Sequence, residues 1–125
     1  MRTPTHPDML LRWWRMALMG LRPVRIETEP QCGWYRMRLY GAGPWVPARI
    51  WCHQDIDPET GELADDERLL CEVDGQMRDP VSVWTRVQPI TQEQYDALIH
   101  LRETVPLMQA TMATVDLSLE PMRPT

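Results

Sequence analysis

Residues 33–52, GWYRMRLYGAGPWVPARIWC, constrain this chain more than any other stretch, because they read as two strands about a turn whose faces separate by parity. Successive strand residues point to opposite sides. Tyr35, Met37 and Leu39 therefore share one side, and Trp34, Arg36, Arg38 and Tyr40 the other. With Gly41, Ala42, Gly43 and Pro44 as a four-residue turn, Tyr40 pairs with Trp45, Arg38 with Pro47, Arg36 with Arg49 and Trp34 with Trp51. One face of the ribbon is then aliphatic, from Met37, Leu39, Val46, Ala48 and Ile50. The other carries only aromatic residues, arginines and Pro47. Guanidinium groups laid over indole rings would relieve the repulsion between Arg36 and Arg49. A surface of that kind needs a cover or a partner.

The rest of the chain supplies further elements. Thr5, Pro7 and Asp8 read as a capped helix start. The helix spans about residues 7–21, with Arg12, Arg15 and Arg22 on one stripe and Leu10, Leu11, Trp14, Leu18 and Leu21 opposite. Pro23 stops it, and residues 24–28 read as a short edge strand or a linker. After the first hairpin, residues 53–67, HQDIDPETGELADDE, hold seven acids among fifteen residues and read as a solvated excursion with a turn at Asp57–Gly61. Leu69, Cys71 and Val73 alternate with Leu70 and Glu72, and Asp74-Gly75 is a tight-turn signal. Asp79-Pro80 breaks the return strand. A further strand then sets Val81, Val83, Thr85 and Val87 on one side and Ser82, Trp84 and Arg86 on the other, which extends the Trp/Arg surface. Thr91 and Gln94 form a capping box, with Ile90 as a staple toward Tyr95, for a helix over 91–105. Residues 106–125 read as an extended tail. The sum is one α+β domain: a small curved antiparallel sheet of four or five strands over 33–88, SH3-like or a partly open barrel, flanked by an N-terminal and a late helix.

At 125 residues a single core is expected. Six Trp, nine Met and no Phe build it from indoles and thioethers. Charge is divided along the chain. Residues 1–52 hold eight Arg against three acids, and residues 53–125 hold five Arg against fifteen acids, for a net −5. An acidic whole has no general electrostatic drive toward nucleic acid, yet a segregated basic half could engage a charged partner. No apolar run reaches the roughly 20 residues of a membrane span. Cys32, Cys52 and Cys71 lack any paired-cysteine spacing, which points to the cytoplasm, and the short apolar runs give no expectation of a membrane partner.

Candidate chemistry is weak by comparison. Cys52-His53 with Cys32 or Cys71 has thiolate and imidazole but no zinc spacing, so buried thiols are the plainer reading and no cofactor is expected. Asp55, Asp57, Glu59 and Asp66 resemble a calcium loop, but Gly61 falls one place late. Neither a Gly-x-Ser-x-Gly elbow nor a phosphate loop is present, and His100 reads as structural. An enzyme is not expected.

In the segments GWYRMRL, GPWVPARIW, IDPETGE and PITQEQYDALI the chain resembles a group of small uncharacterised proteins from prophages and phage-like regions of proteobacteria. The likeness covers about residues 33–105, plus Val115–Leu117. It implies a phage-derived accessory protein and carries over no functional residue. The N-terminal helix with Trp13-Trp14 departs from that pattern. The expectation is a non-enzymatic inhibitor of a host protein or ribonucleoprotein complex, of the anti-CRISPR kind. Its acidic loop (Asp55, Asp57, Asp65, Asp66) would imitate phosphates, or its Trp/Arg patch would anchor on a protein. The alternative is a nucleic-acid-binding module, with Arg36, Arg38, Arg49 and Arg86 on phosphates and Trp34, Trp45, Trp51 and Trp84 stacking on bases.

Overall fold

The computed structural model describes the backbone of residues 3–115 and the side chains of residues 3–103. Its elements are α1 (Pro7–Leu10), α2 (Arg12–Leu18), β1 (Gly33–Arg38), β2 (Trp45–His53), β3 (Arg68–Val73), β4 (Gln76–Arg78), α3 (Pro80–Val83), a 3-10 turn (Trp84–Arg86), β5 (Gln88–Pro89) and α4 (Gln92–Val115). The strands form one open antiparallel sheet in the order β4-β3-β2-β1-β5. The class is α+β, with helices at both ends of the chain as expected.

Parity holds in the central ribbon, but its register is shifted by two, so that residues 39–44 and not 41–44 alone join the strands. Trp34 lies opposite Arg49, Arg36 opposite Pro47 and Arg38 opposite Trp45. A shift of two preserves the faces, since strand side chains repeat every two residues. The cause lies in the turn. Gly43 donates to the Tyr40 carbonyl at 2.9 Å, and a Cβ on Gly43 would stand 2.7 Å from the Tyr40 ring. Tyr40 therefore folds back over the glycine, so Leu39 and Tyr40 leave the ladder and Leu39 is exposed instead of lining the aliphatic face. One consequence is that Arg36 and Arg49 no longer oppose each other.

Pro47 sits in an interior strand, where proline is usually excluded because it cannot donate to the ladder. Its carbonyl accepts from Asp74 N at 2.9 Å. In an antiparallel strand a residue's N and O point to the same neighbour, so the missing donor faces the β3–β4 turn, where β3 has already ended. That turn is Asp74-Gly75 as expected, both in the left-handed region at φ 50° and 83°.

The aliphatic face packs into the core with Tyr35, Met37, Val46, Ala48, Ile50, Cys71 and Val73. It is covered by α2, α3 and the 3-10 turn, which contribute Trp14, Val83 and Trp84 respectively. Three expectations fail here. Residues 80–86 are not a strand: Asp79 caps α3 by accepting from Val81 N, and Pro80 occupies the first turn, where its fixed φ suits a helix. Trp84 is consequently 0% exposed, in the core and not on the Trp/Arg surface. The N-terminal helix is split at Leu11 and ends at Leu18 with His6 as its cap, so Arg22 and Leu21 lie beyond it. Residues 24–28, for which an edge strand or a linker was expected, are the linker.

α4 packs on the opposite face, against β2 and β1. Its start is the expected capping box: Thr91 N donates to Gln94 Oε1 at 2.9 Å and Gln94 N to Thr91 Oγ1 at 3.1 Å. Ile90 and Tyr95 are both buried. Arg102 makes a two-pronged bridge to Asp74 at 2.8 and 3.1 Å, which ties the helix to the β3–β4 turn. The helix passes through Pro106 to Val115 where an extended tail was expected, in keeping with the strong helix formers of Leu107–Ala110. Residues 116–125 of that tail lie outside the described residues.

A Cβ added at Gly33 would stand 2.5 Å from Cγ of Trp14, whereas one at Gly41 would meet nothing within 4 Å. Gly33→Ala is therefore expected to cost about 1–3 kcal/mol, as overpacked sites do, and Gly41→Ala to be near neutral. Urea unfolding of the two variants checks both.

Candidate functional site

On the outward face of β1 and β2, six of the expected residues come together as two cation–π groups. Arg36 and Arg38 lie over the Trp45 ring at 4.1 and 4.3 Å from its centroid. Arg49 lies near the rings of Trp34 at 5.6 Å and Trp51 at 5.3 Å. The shifted register causes this, since it places Arg38 opposite Trp45 and Arg49 opposite Trp34. α4 covers the middle of the face, where Pro47 is buried, and leaves Arg38 and Arg49 exposed and the three indoles half-buried. Trp34 also leans on Trp14, with centroids 5.0 Å apart.

Arg86 joins the first group by another route. From the 3-10 turn its NH2 donates to the carbonyls of Arg38 at 2.8 Å and Leu39 at 2.9 Å, so it caps the edge of β1 where β5 has stopped. Arg36 donates to Gln88 Oε1 and Arg38 to the Gly41 carbonyl. Among the described residues, no carboxylate lies within ion-pair distance of Arg36, Arg38 or Arg86.

Two open cavities of about 310 Å³ each meet at Trp45. One is lined by the guanidiniums of Arg38 and Arg86 and by Gln88, together with the Tyr40 and Trp45 rings. The other is mostly aliphatic, lined by Ile90, Ala97, Leu98 and Leu101 with Arg36 and Gln94 at its rim. The α4 residues of this groove carried no signal in the sequence beyond helical periodicity, because their placement depends on where α4 crosses the sheet. A third cavity, of about 250 Å³, lies between α1 and the Trp34–Arg49–Trp51 group and includes Cys32 and Cys52.

The expected acidic residues sit elsewhere. The loop joins β2 to β3 at the His53 end of β2, while Trp45 begins that strand. Eight residues of extended chain separate the two, roughly 26 Å. Asp55, Asp65 and Asp66 are exposed and Asp57 is half-buried. The loop is more ordered than a solvated excursion: Ile56 bridges Leu63, Leu63 is buried, and Asp57 accepts from Glu59 N at 2.9 Å.

The thiols are poor nucleophiles. Burial pushes Cys32 up to about 12 and Cys71 up to about 11, and raises Cys52 as well. A reactive cysteine requires the opposite shift. All three are unpaired, and no group of three or more His, Cys, Asp or Glu able to hold a metal ion occurs among the described residues. Comparison with protein-family models, curated proteins and solved structures finds no match to this chain.

One polar cluster was missed. The Glu67 carboxylate accepts from Gln54 Nε2 at 2.6 Å, Thr5 Oγ1 at 2.7 Å and Thr5 N at 3.0 Å, so Thr5 straps the N-terminus to the sheet instead of capping a helix. A contact across 62 residues leaves no local trace in the sequence. These donors, Gln54 first, hold the Glu67 carboxyl at about 2, against an ordinary 4.5. A lowered folded-state value stabilises the fold above the unfolded value, and that stabilisation is lost as pH falls from about 4.5 toward about 2. In acid titrations of stability, Glu67→Gln is expected to flatten the profile across that window and leave it unchanged near neutrality apart from a constant offset.

Proposed function

We propose that this chain is a non-enzymatic binding protein of phage origin that inhibits or modulates a host macromolecular machine inside the bacterial cell, as an anti-defence inhibitor of the anti-CRISPR kind would. The observation that carries the reading is the Arg36–Trp45–Arg38 group, with Arg86 beside it. Guanidinium groups on a half-buried indole, with no carboxylate partner among the described residues, are the composition of a contact surface, since Trp and Arg dominate binding hot spots. The upward shifts of all three thiols also favour contact over covalent chemistry.

Two charged ends are available for such contact, and they differ in mechanism. The acidic loop can imitate phosphates toward a basic groove, or the arginine group can anchor on a protein. Affinity capture from the bacterial host, followed by an activity assay of the purified partner, separates them. Charge reversal at Asp55, Asp57, Asp65 and Asp66 is expected to abolish binding if mimicry operates, and Arg38→Glu if the arginines anchor. A chain that neither retains a host complex nor alters its activity would overturn the proposal.

A nucleic-acid-binding module is the second reading, favoured by the same guanidiniums, which have no carboxylate partner among the described residues. It requires affinity for single strands that falls steeply with salt, with a slope near −0.7 per phosphate contacted. Titration of a fluorescent oligothymidylate at rising ionic strength is expected to give that slope if this reading holds and a flat, weak response if the first one does.

A further inference from the structure

The two cavities that meet at Trp45 differ in character, and the difference specifies a ligand. The groove between α4 and the sheet offers aliphatic carbon from Ile90, Ala97, Leu98 and Leu101. Its neighbour offers guanidinium from Arg38 and Arg86. Arg86 is held in place by its two bonds to the carbonyls of Arg38 and Leu39, so its charge is fixed beside that of Arg38. We infer that this double cavity is a docking site for an acidic, leucine-like peptide segment of a partner protein, with an aliphatic side chain in the groove and the adjacent carboxylate on Arg38 and Arg86.

Charge complementarity selects the occupant. Three guanidiniums around one indole with no carboxylate partner among the described residues repel one another, and an incoming carboxylate relieves that repulsion while making charge-assisted bonds. A nucleobase suits the site less well. Arg36 and Arg38 already lie over the Trp45 ring at 4.1 and 4.3 Å, so a stacking base would have to displace them. The groove's aliphatic wall would also leave the hydrogen-bonding edges of a base largely unanswered. A volume of about 310 Å³ accommodates one or two aliphatic side chains and no folded element. The inference deepens the proposed binding function by naming the chemistry of the partner, and it rests on that reading.

The full-length chain, immobilised and panned against a random heptapeptide display library, tests it. Enriched peptides are expected to place Asp or Glu beside Leu, Ile or Met. A synthetic peptide of that consensus is expected to lose at least tenfold in affinity to Arg38→Glu and to Leu101→Glu, both at exposed positions, and to bind Arg78→Glu on the far edge strand unchanged. In the unsubstituted protein the indole N–H resonance of Trp45 is expected to shift on addition of the peptide, while that of buried Trp84 stays in place; this readout requires no variant to fold. Failure to enrich any peptide, a consensus without acidic residues, or equal binding by Arg38→Glu and Leu101→Glu would overturn the site. So would an oligothymidylate that binds more tightly than the peptide and shifts Trp45 itself. A host partner captured equally by wild type and by both variants would sink the site while leaving the broader binding function intact.

Discussion

Backbone carbonyls that fall outside the sheet and helix ladders, and the side-chain donors that reach them, hold this fold together. Buried peptide groups must be paired, and a chain with two helices split at Leu11 and a long linker has many carbonyls to satisfy. Indole and guanidinium do the work. Trp14 donates to Trp34 and Ile90, Trp13 to Val24, Trp84 to Ile26, and Arg25 to both Trp84 and Val87. Each bond spans ten or more residues of sequence. Arg25 also lies over the rings of Trp13 and Trp84 at 5.2 and 4.7 Å, and its burial lowers its pKa from the usual arginine value. The linker after α2 is thereby fastened to the 3-10 turn without forming a strand.

This use of tryptophan explains where reading the sequence succeeds. Parity in 33–52 survives a two-residue change of register because only odd shifts exchange the faces. The capping box at Thr91 and Gln94 and the turn at Asp74-Gly75 are local signals, complete within four residues, and both appear as expected. The residues read amiss depend either on distant partners or on a local helix start that competes with strand alternation. Trp84 and Arg86 alternate like the central hairpin, yet Asp79 and Pro80 start a helix there, and the turn that follows sends the indole inward and the guanidinium to the end of β1. Thr5 resembles a cap and is instead committed to Glu67.

The Trp/Arg surface was legible as a composition but not as a geometry. Its six strand residues lie on one face as expected, while their division into two groups follows from the turn of Tyr40 over Gly43 and from the path of α4 above Pro47. Part of the surface is structural as well: Trp34 supports Trp14, and its carbonyl accepts from both Trp14 and Ile90. Arg38 and Arg49 are exposed, and Arg36 and Trp45 are half-buried beside Arg38.

The acidic loop and the arginine group stand at opposite ends of β2, so charge of opposite sign is separated along the length of that strand. In the field of a strongly charged target, such a body is turned as well as attracted, so that encounters begin end-on. Orientation on approach would then be set by the long axis of one strand before any side chain touches its counterpart, and raising the ionic strength would randomise the angle of arrival as well as slow the rate.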